Sequence, residues 1–405
     1  MSSEWTAHRL EDVVSLKTGK LDSNAAEEGG RYPFFTCSPI TLNINTFAFD
    51  TEAVILAGNN ANGVFATKHY NGKFNAYQRT YVIEPLDKKR TSCKYFYYVI
   101  SDLVGHLKEL SVGSATKFLT KTILNGLSVP LPAKKTQDLI AEFLSALDDR
   151  ITLLRETNNT LETIAQVLFK SWFVDFDPVR AKAEGFEPEG LDAATAALFP
   201  ESFEECELGL VPKGWSYVSL KEVTSIFDSQ RVPLAGQERA KRKGNYPYYG
   251  AAALMDWVDG YLFDGIYLLS GEDGSVADPL GYPITQYVWG RLWVNNHAHV
   301  LQGKNGVSTE HLMLSLKQTN ITPFITGAVQ AKLSQSNMWR INFLMPSREI
   351  ALAFGELLKP LYASLRHNTE QAQTLTQLRD TLLPRLISGQ LRLPEAEVMV
   401  EEICA

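Results

Sequence analysis

The sequence predicts an α+β protein with two mixed α/β domains, separated by an antiparallel coiled coil of two long helices and arranged as a pseudo-two-fold internal repeat. Three observations predict this class. The chain of 405 residues repeats itself at a spacing of 214 residues. Each copy begins with short apolar runs separated by glycine turns, which is typical of strands and hairpins. Each copy then continues into a long stretch with a heptad-like apolar pattern, which is typical of a paired helix.

The repeat is clearest where each globular copy gives way to its long helix. The matched positions are Gly113 and Gly327, Leu119 and Leu333, Thr120 and Ser334, and Pro132 and Pro346. The predicted segments are residues 1–132 (first α/β domain), 133–180 (central long helix), 181–213 (acidic linker), 214–346 (second α/β domain), 347–391 (C-terminal long helix) and 392–405 (tail). Within the two domains, the apolar spacing predicts helices over Cys93–Leu110 and around Ser308–Leu316.

The central helix carries a heptad repeat. Its apolar positions are Ile140, Leu147, Leu154, Leu161 and Leu168, and the stripe is widened by Phe143, Leu144, Ile151, Ile164, Ala165 and Trp172. In the second copy, Gly355 and Pro360 predict a kink or a late helix start, and Pro384 with Gly389 predicts the end. Asn158 and Asn368 lie near the stripes and are candidates for fixing the helix register. An intramolecular antiparallel pair is favoured, although a compact bundle or pairing with another chain would also bury the stripes.

Composition and charge leave several partners open. The net charge of −7 is concentrated outside the two domains, since residues 1–132 have 14 basic and 12 acidic side chains and residues 214–346 have 11 and 10. Local basic patches on the domains are therefore permitted. The N-terminus has no apolar core typical of a signal peptide, and the four scattered cysteines predict reduced thiols and a cytoplasmic location.

Motifs for catalysis are missing from the sequence. It contains no phosphate-binding GxxxxGK[ST] loop, no HExxH and no Asn/Asp-Pro-Pro-Tyr/Phe tetrapeptide of an amino-methyltransferase. His297 and His299 could be metal ligands, but without a third ligand at a suggestive spacing they are better explained as one face of a strand. Asp175 and Asp177, at a helix end, are better explained by solvation or partner contact than by acid–base catalysis. Together these absences favour a non-catalytic protein.

Several motifs carry a resemblance to a known family. The segment LFKSWFVDFDPVR at 168–180 resembles the central region of specificity (S) subunits of type I restriction–modification enzymes. The segments at 131–151, 207–215 and 378–391 resemble the entry into the family's first long helix, the lead into its second recognition domain and its C-terminal helix end. The resemblance covers essentially the whole chain, although the interiors of the two domains carry no specific motif.

The resemblance implies a function in DNA recognition. Each domain would be a target recognition domain that binds one half of a bipartite, asymmetric target in the major groove of double-stranded DNA, and the helix pair would set the spacer. The family's partners are two methyltransferase (modification) subunits and, for cleavage, two restriction translocases. The chain itself would be non-catalytic and hold no cofactor or metal, because S-adenosylmethionine belongs to the methyltransferase subunits and ATP with Mg²⁺ to the translocase.

Candidate DNA-binding residues follow from the chemistry of DNA recognition, in which Arg and Lys bind phosphates and guanine while Asn and Gln bind adenine. In the first domain they are Asn59, Asn60, Asn62, Lys73, Gln78, Arg79, Ser114, Thr116 and Lys117. In the second domain they are Arg231, Arg239, Lys241, Arg242, Lys243, Arg291, Asn295, Asn296, His297, Gln330 and Lys332. The aromatic residues Trp172, Phe173 and Phe176 are candidates for docking the methyltransferase subunits, with core packing as the alternative.

Two other functions remain open at this point. The near-neutral domains are also compatible with a two-headed scaffold that does not bind DNA. An enzyme fused to a recognition domain is disfavoured, because the sequence lacks the methyltransferase tetrapeptide and also lacks a convincing Asp…Glu-x-Lys nuclease cluster. Salt-dependent DNA binding distinguishes the first alternative from a DNA-recognition subunit.

Overall fold

The computed structural model describes residues 5–60, 65–111, 117–327 and 329–404. The chain divides into two compact units. Unit 1 consists of Met1–Leu153 and Gln371–Ala405, and unit 2 consists of Leu154–Glu370. Each long helix therefore begins in one unit and ends in the other.

Unit 1 is built on a six-stranded sheet. The strands of the whole unit, inside and outside this sheet, are β1 (Thr6–Arg9), β2 (Val14–Thr18), β3 (Tyr32–Phe35), β4 (Leu42–Ile44), β5 (Phe49–Ala57), β6 (Asn59–Asn60), β7 (Thr67–Ala76), β8 (Thr80–Pro85), β9 (Lys117–Phe118) and β10 (Ser128–Leu131). The helices of unit 1 are α1 (Leu10–Val13), α2 (Cys93–Leu110), α3 (Lys121–Asn125), the first half of α4 (Lys134–Phe173), the last part of α11 (Arg348–Ile387) and α12 (Leu393–Cys404), with a 3₁₀ turn at Ser23–Ala25. The sheet has the order β2-β8-β5-β7-β3-β4, and β1 pairs with β10.

Unit 2 repeats this arrangement. Its strands are β11 (Phe203–Cys206), β12 (Gly209–Pro212), β13 (Ser216–Ser219), β14 (Thr224–Ile226), β15 (Lys243–Tyr249), β16 (Leu254–Val258), β17 (Phe263–Gly271), β18 (Thr285–Val294), β19 (Ala298–Gly303) and β20 (Asn342–Met345). The helices of unit 2 are the second half of α4, α5 (Asp177–Ala183), α6 (Ala193–Leu198), α7 (Leu220–Val223), α8 (Gly236–Lys241), α9 (Thr309–Lys317), α10 (Gln335–Met338) and the first part of α11 (Arg348–Ile387), with 3₁₀ turns at Asp228–Gln230 and Thr322–Phe324.

The two sheets have the same topology. The order in unit 2 is β14-β19-β17-β18-β15-β16, and β13 pairs with β20 as β1 does with β10. In each sheet one face packs against a helix that begins after a serine cap, at Ser92 for α2 and at Ser308 for α9. Alternating strand residues reach opposite faces, so that Val54 packs in the core with α2 while Ile55 packs in a second cluster on the other face. The internal repeat predicted from sequence is confirmed at the level of the fold.

The two long helices pair antiparallel within each unit. In unit 1, Arg379 of α11 donates to Asp148 of α4 at 2.6 Å, and in unit 2 the ring of Phe354 lies 5.2 Å from that of Trp172. Helix α11 begins at Arg348 and remains α-helical through Gly355 and Pro360, so the predicted late start is wrong. A proline costs least in the first turns of a helix, and here it lies in the fourth turn of a helix whose buried stripe holds it in place.

Two other expectations are corrected. Ile164 is 42% exposed and lies outside the buried stripe of α4, because a straight helix of 3.6 residues per turn drifts from a heptad repeat and presents Ala165 and Phe169 instead. The C-terminal tail is not a simple tail, since α12 (Leu393–Cys404) packs Ala396 against the core of unit 1.

The linker predicted over 181–213 is also folded. It contains α6 and the hairpin of β11 and β12, and it buries Phe199, whose ring lies 4.9 Å from that of Trp172.

Helix α11 ends before Gly389, which adopts a positive φ of 71° and leaves no room for a Cβ beside Trp5. Among the described residues, no helix is both long enough and apolar enough to cross a lipid bilayer.

Candidate nucleic-acid interface

In unit 1, three loop segments converge at the end of the central strands. The Gly58 N–H donates to the Arg79 carbonyl at 2.8 Å, and the Leu119 N–H donates to the Gly58 carbonyl at 2.9 Å. Strand β6 pairs with β9, which places Asn60 opposite Lys117. The hydroxyl of Tyr81 donates to the Leu119 carbonyl at 2.9 Å. These bonds bring together residues that are distant in sequence, and we call this group the unit 1 loop cluster (residues 58–60, 78–79 and 117–119).

The side chains of the unit 1 loop cluster combine cationic and amide groups. The guanidinium of the exposed Arg79 lies over the Phe118 ring at 5.4 Å, which fixes its plane while its donors remain accessible. Gln78 is exposed, and its backbone N–H donates to the Leu21 carbonyl. The buried Oδ1 of Asn59 has no hydrogen-bond donor among the described residues. Five of the sequence-predicted residues therefore lie in one cluster: Asn59, Asn60, Gln78, Arg79 and Lys117.

The remaining candidates of unit 1 are not part of this cluster or cannot be placed. Lys73 lies on β7, where its ammonium is 4.7 Å from the centroid of the Phe47 ring. Asn62, Ser114 and Thr116 lie outside the described residues.

Unit 2 has an equivalent group, which we call the unit 2 loop cluster (residues 272–273, 296–297 and 330–333). The Glu272 N–H donates to the His297 carbonyl at 2.8 Å, and the Leu333 N–H donates to the Glu272 carbonyl at 2.8 Å. Asp273 forms an antiparallel bridge with Lys332. Gly58 and Leu119 correspond to Glu272 and Leu333 at the repeat spacing, so the same two backbone hydrogen bonds organise both clusters.

A buried polar network supports the unit 2 loop cluster from below. His299 is 1% exposed, and its Nδ1 lies 2.6 Å from Asp228 while its Nε2 lies 2.8 Å from the Leu333 carbonyl. Arg231 donates to Glu272 at 2.8 Å and to the Ala298 carbonyl at 2.6 Å. Because its guanidinium is largely buried and committed to these acceptors, Arg231 holds the loops in place and does not present a free cation to DNA. From the sequence, His299 was assigned to one face of a strand, whereas Asp228 and Glu272 were missed, although the repeat spacing already related Glu272 to Gly58.

The turn between β18 and β19 separates its residues by role. Asn295 is 4% exposed, and its Oδ1 accepts a hydrogen bond from the His297 N–H at 2.8 Å, so its buried side chain shapes the turn. Asn296, His297, Gln330 and Lys332 are exposed. The imidazole of His297 contacts Asp273, and the ammonium of Lys332 lies 3.6 Å from Glu272.

Most of the basic residues at positions 239–243 and 291, which were predicted to bind DNA, form ion pairs with carboxylates of unit 2. Arg239 lies 3.3 Å and Lys243 lies 2.6 Å from Asp256, and the hydrogen bond from Lys243 lowers the pKa of that carboxyl. Arg242 pairs with Asp259 at 2.9 Å, and Arg291 pairs with Asp264 at 3.2 Å. These pairs join α8, β15 and β16 and the ends of β17 and β18. Lys241 is exposed. The basic run therefore contributes less free positive charge than its sequence indicates.

The aromatic residues predicted to dock partner subunits are core residues. Trp172 is 2% and Phe173 is 6% exposed, and both rings pack against Phe354 of α11. Phe176 is partly buried between Phe203 and Trp215. The docking role predicted for Trp172 and Phe173 is therefore corrected, because side chains buried to this degree cannot contact a second protein in this conformation. The helix-end crowding of aromatic residues signals core packing here.

Similarity to known proteins agrees with this architecture. The family model described as "Type I restriction modification DNA specificity domain" matches residues 2–163 and 212–377. The chain is 36% identical over 238 residues to the type I restriction enzyme EcoDI specificity subunit of Escherichia coli, covering 57% of this chain and 51% of that protein. It is 28% identical over 335 residues to the HindI specificity subunit of Haemophilus influenzae, covering 67% and 71%. The chain thus spans about half the length of the first of these relatives.

A solved structure shares the fold. The crystal structure of the type I restriction–modification system S subunit from M. genitalium superimposes with a TM-score of 0.62 at 18% identity, and the match covers 95% of this chain and 96% of that one. The family model matches the chain twice, once in each copy of the internal repeat, and covers well over half of it. The resemblance noted in the sequence is confirmed, and this chain belongs to the family of type I restriction–modification DNA specificity proteins.

Proposed function

We propose that this chain is the DNA-recognition subunit of a type I restriction–modification complex, with each unit binding one half of a bipartite DNA target. The observation that carries the proposal is the pair of equivalent loop clusters. Both are organised by the same two backbone hydrogen bonds, and both present cationic and amide side chains at the same end of the same sheet topology. Such duplication suits a duplex target with two half-sites.

The chemistry of the exposed side chains supports major-groove recognition. In the unit 1 loop cluster, Arg79 offers a planar donor pair suited to guanine, and Lys117 supplies charge for phosphates. In the unit 2 loop cluster, Asn296 and Gln330 offer amides suited to adenine, and Lys332 supplies the charge. Both clusters supply a lysine for phosphates, but they offer different side chains to the bases, Arg79 in one and Asn296 with Gln330 in the other. This difference is expected if the two half-sites have different sequences.

The helix pair is suited to setting the spacer between half-sites. Helices α4 and α11 each contain 40 residues, and each passes from one unit into the other. Asn158 and Asn368 hydrogen-bond across the pair at 3.0 Å. The contact is half-buried beside an apolar seam. A polar contact in such a seam can fix the register of paired helices, and a fixed register would give a fixed spacer.

Catalysis would be supplied by partner subunits that dock on exposed apolar surface. In unit 2, Ile164 is 42%, Val167 is 60% and Val174 is 46% exposed, at spacings that place them on one side of α4 and just beyond its end. Exposed apolar groups grouped on one face mark interaction surfaces. We propose this face for docking a methyltransferase subunit, which would bind S-adenosylmethionine.

One observation favours a second candidate, a two-headed scaffold that does not bind DNA. Arg231, Arg239, Arg242, Lys243 and Arg291 are all paired with carboxylates of unit 2. This pairing reduces the positive charge that unit 2 would present to phosphates.

Selection from random DNA tests the proposal against this alternative. The chain, assembled with its methyltransferase partner, is incubated with a pool of random duplexes, and bound duplexes are amplified and sequenced at several salt concentrations. DNA recognition predicts enrichment of a split motif with a constant spacer and binding that weakens steeply with salt. A scaffold predicts no motif and no salt-dependent retention of DNA.

A further inference from the structure

Unit 1 contains a group of metal-ligating side chains outside the loop clusters. They are Glu52 on β5, His69 on β7 and Cys93 in the first turn of α2. One carboxylate oxygen, one imidazole nitrogen and the thiol sulfur all lie within 4.8 Å of one another. The Nε2 of His69 is 2.9 Å from the Oε1 of Glu52. Three elements of the fold thus deliver three different donor atoms to one point.

Strand geometry explains why these side chains meet. His69 lies opposite Val54 in the ladder between β5 and β7. Glu52 precedes Val54 by two residues, so both residues lie on the same face of the sheet. Val54 packs in the core cluster that contains Cys93 and the residues of α2. Glu52 and His69 consequently lie on the face that α2 covers, and the buried Cys93 lies above them.

A polar pair at this position is unexpected for packing alone. A carboxylate and an imidazole facing a helix lose hydration that an apolar pair would not lose. The equivalent strand positions of unit 2, at the repeat spacing from Glu52 and opposite Leu268, are Ile266 and Tyr287. Unit 2 therefore builds the same sheet-to-helix interface without this trio.

We propose that Glu52, His69 and Cys93 form a zinc-binding site. Sulfur, nitrogen and oxygen donors from Cys, His and Glu are the ligands that zinc binds at its three protein positions, with water as the fourth ligand. Ligands around tetrahedral zinc are separated by about 3.5 Å, given bond lengths of about 2.0–2.3 Å. The trio needs to contract by little more than 1 Å to reach this separation, a movement within the range of side-chain rotation.

The charge around the trio also favours a cation. A second trio, Asp228, Glu272 and His299 in unit 2, has similar spacing. There the guanidinium of Arg231 contacts both carboxylates, at 3.3 Å and 2.8 Å, and supplies the positive charge. Among the described residues, Glu52 forms its ion pair with His69, and no Arg or Lys nitrogen lies within 4.0 Å of its carboxylate. The zinc site is thus predicted in unit 1 and not in unit 2.

Bound zinc would tie the start of α2 to β5 and β7. Such a site would stabilise the sheet-to-helix interface of unit 1 and is independent of DNA recognition. Zinc bound only by the native state raises the unfolding temperature, by an amount that grows with the logarithm of the zinc concentration divided by the dissociation constant.

The test uses the full chain after treatment with a chelator and dialysis. Titration with Zn²⁺ in competition with a chromophoric chelator gives the stoichiometry, and Co²⁺ gives an absorption band in the near ultraviolet when a thiolate binds it. The variants are Cys93→Ala, His69→Gln and Glu52→Gln. The matched controls are Cys206→Ala, an exposed thiol, and His367→Gln, an exposed imidazole. Circular dichroism in the presence of chelator establishes that each variant is folded.

We expect one tight zinc ion per chain, a thiolate–cobalt band and a rise in melting temperature with zinc. Each site variant should lose at least about tenfold in affinity, and Cys93→Ala should lose the cobalt band, while both controls behave as the unaltered chain. The proposal is overturned if the chain binds no stoichiometric zinc, or if zinc binding and the cobalt band persist in Cys93→Ala. If Cys93→Ala fails to fold, His69→Gln, at a partly exposed position, decides the test. Zinc affinity equal to that of the unaltered chain would then overturn the proposal.

Discussion

The side chains of Asn158 and Asn368 hydrogen-bond to each other at 3.0 Å across the pair of helices α4 and α11. The Nδ2 of Asn158 also donates to the Leu365 carbonyl at 3.1 Å and to the Thr369 hydroxyl at 2.9 Å. Both asparagines lie in unit 2, beside a seam of buried apolar residues. A one-turn slip of either helix would break all three bonds, so this contact selects one register.

Replacing Asn158 by Ala should destabilise unit 2 more than replacing Asn368 by Ala. Asn158→Ala removes three hydrogen bonds, and Asn368→Ala removes one. At about 0.5–1.5 kcal/mol per bond, we expect the two losses in unfolding free energy to differ clearly. The double variant should be less destabilised than the sum, by about 0.5 kcal/mol or more. Tryptophan fluorescence during urea unfolding measures these free energies for unit 2, which contains several tryptophans: Trp172, Trp215, Trp257, Trp289, Trp293 and Trp339. Strictly additive losses would mean that the two side chains do not interact.

His311 should make unit 2 less stable in mild acid. It is fully buried among the rings of Phe173, Phe343 and Phe354, and neither ring nitrogen has a partner among the described residues. Burial lowers its pKa to about 3, whereas the unfolded chain protonates it near the ordinary value of about 6.5. The folded pKa is depressed, so the stability from neutral His311 is present above pH 6.5 and is lost as the pH falls from 6.5 toward 3.

The slope of stability against pH identifies this contribution. One proton bound only by the unfolded state reduces the unfolding free energy by about 1.4 kcal/mol per pH unit. Between pH 6 and pH 5, the unfolding free energy of His311→Leu should fall less than that of the unaltered chain, by roughly this amount. At pH 8 it should be equally stable or more stable, since a buried unpaired polar group is removed. Parallel slopes for the two proteins would contradict the burial of a neutral imidazole.

Arg79 should contribute directly to DNA affinity. Its guanidinium is exposed and held over Phe118, so Arg79→Ala removes a preorganised contact without disturbing the core. We expect a loss of about 1–3 kcal/mol in binding to the selected target. If the contact is to a phosphate instead of a base, the salt slope should fall by about one. Arg31→Ala, an exposed arginine outside the loop cluster, is the matched control in a fluorescence anisotropy titration. Equal affinities for the two variants would exclude Arg79 from the interface.

Val167 should be important for binding the methyltransferase subunit. Val167→Glu places a charge on the exposed apolar face of α4, where desolvating a carboxylate opposes docking. We expect at least about a tenfold loss of affinity with an unchanged melting temperature, because the side chain is exposed. Val398→Glu, at a 52% exposed position on α12, is the control. Binding that survives Val167→Glu, measured by surface plasmon resonance, would place the docking face elsewhere.

The periodic features of the fold could be predicted from the sequence. The bounds of α2 at Cys93–Leu110 and the pairing of α4 with α11 follow from apolar spacing, which reports burial directly. A kink or late start of α11 was expected because Pro360 disfavours a helix locally, but the helix begins at Arg348. The packing of its buried stripe overrides the local preference. The fold of residues 181–213 was missed because its acidic composition resembles a linker, while Phe199 and Val211 are buried.

The candidate site was less predictable, because exposure and pairing depend on contacts across the sheet. The sequence indicates that Arg231 and Arg239 are basic. It does not indicate that Asp228, Glu272 and Asp256 neutralise them. Asn295 and Asn296 are adjacent and chemically identical, yet the first is buried in the turn and the second is exposed. The equivalence of the two loop clusters was encoded in the repeat, since Gly58 and Glu272 are related by the same spacing as Leu119 and Leu333.

Methylome sequencing tests most directly the central claim that each unit reads one half of the target. The chain is co-expressed with its methyltransferase partner in three forms: unaltered, Arg79→Ala, and Gln330→Ala with Lys332→Ala. Recognition of one half-site by each unit predicts a split motif that is lost when the chain is omitted. It also predicts that the unit 1 variant relaxes the sequence of one half and the unit 2 variant relaxes only the other, with the spacer unchanged. Methylation that is the same without the chain, or variants that alter the same half, would contradict it.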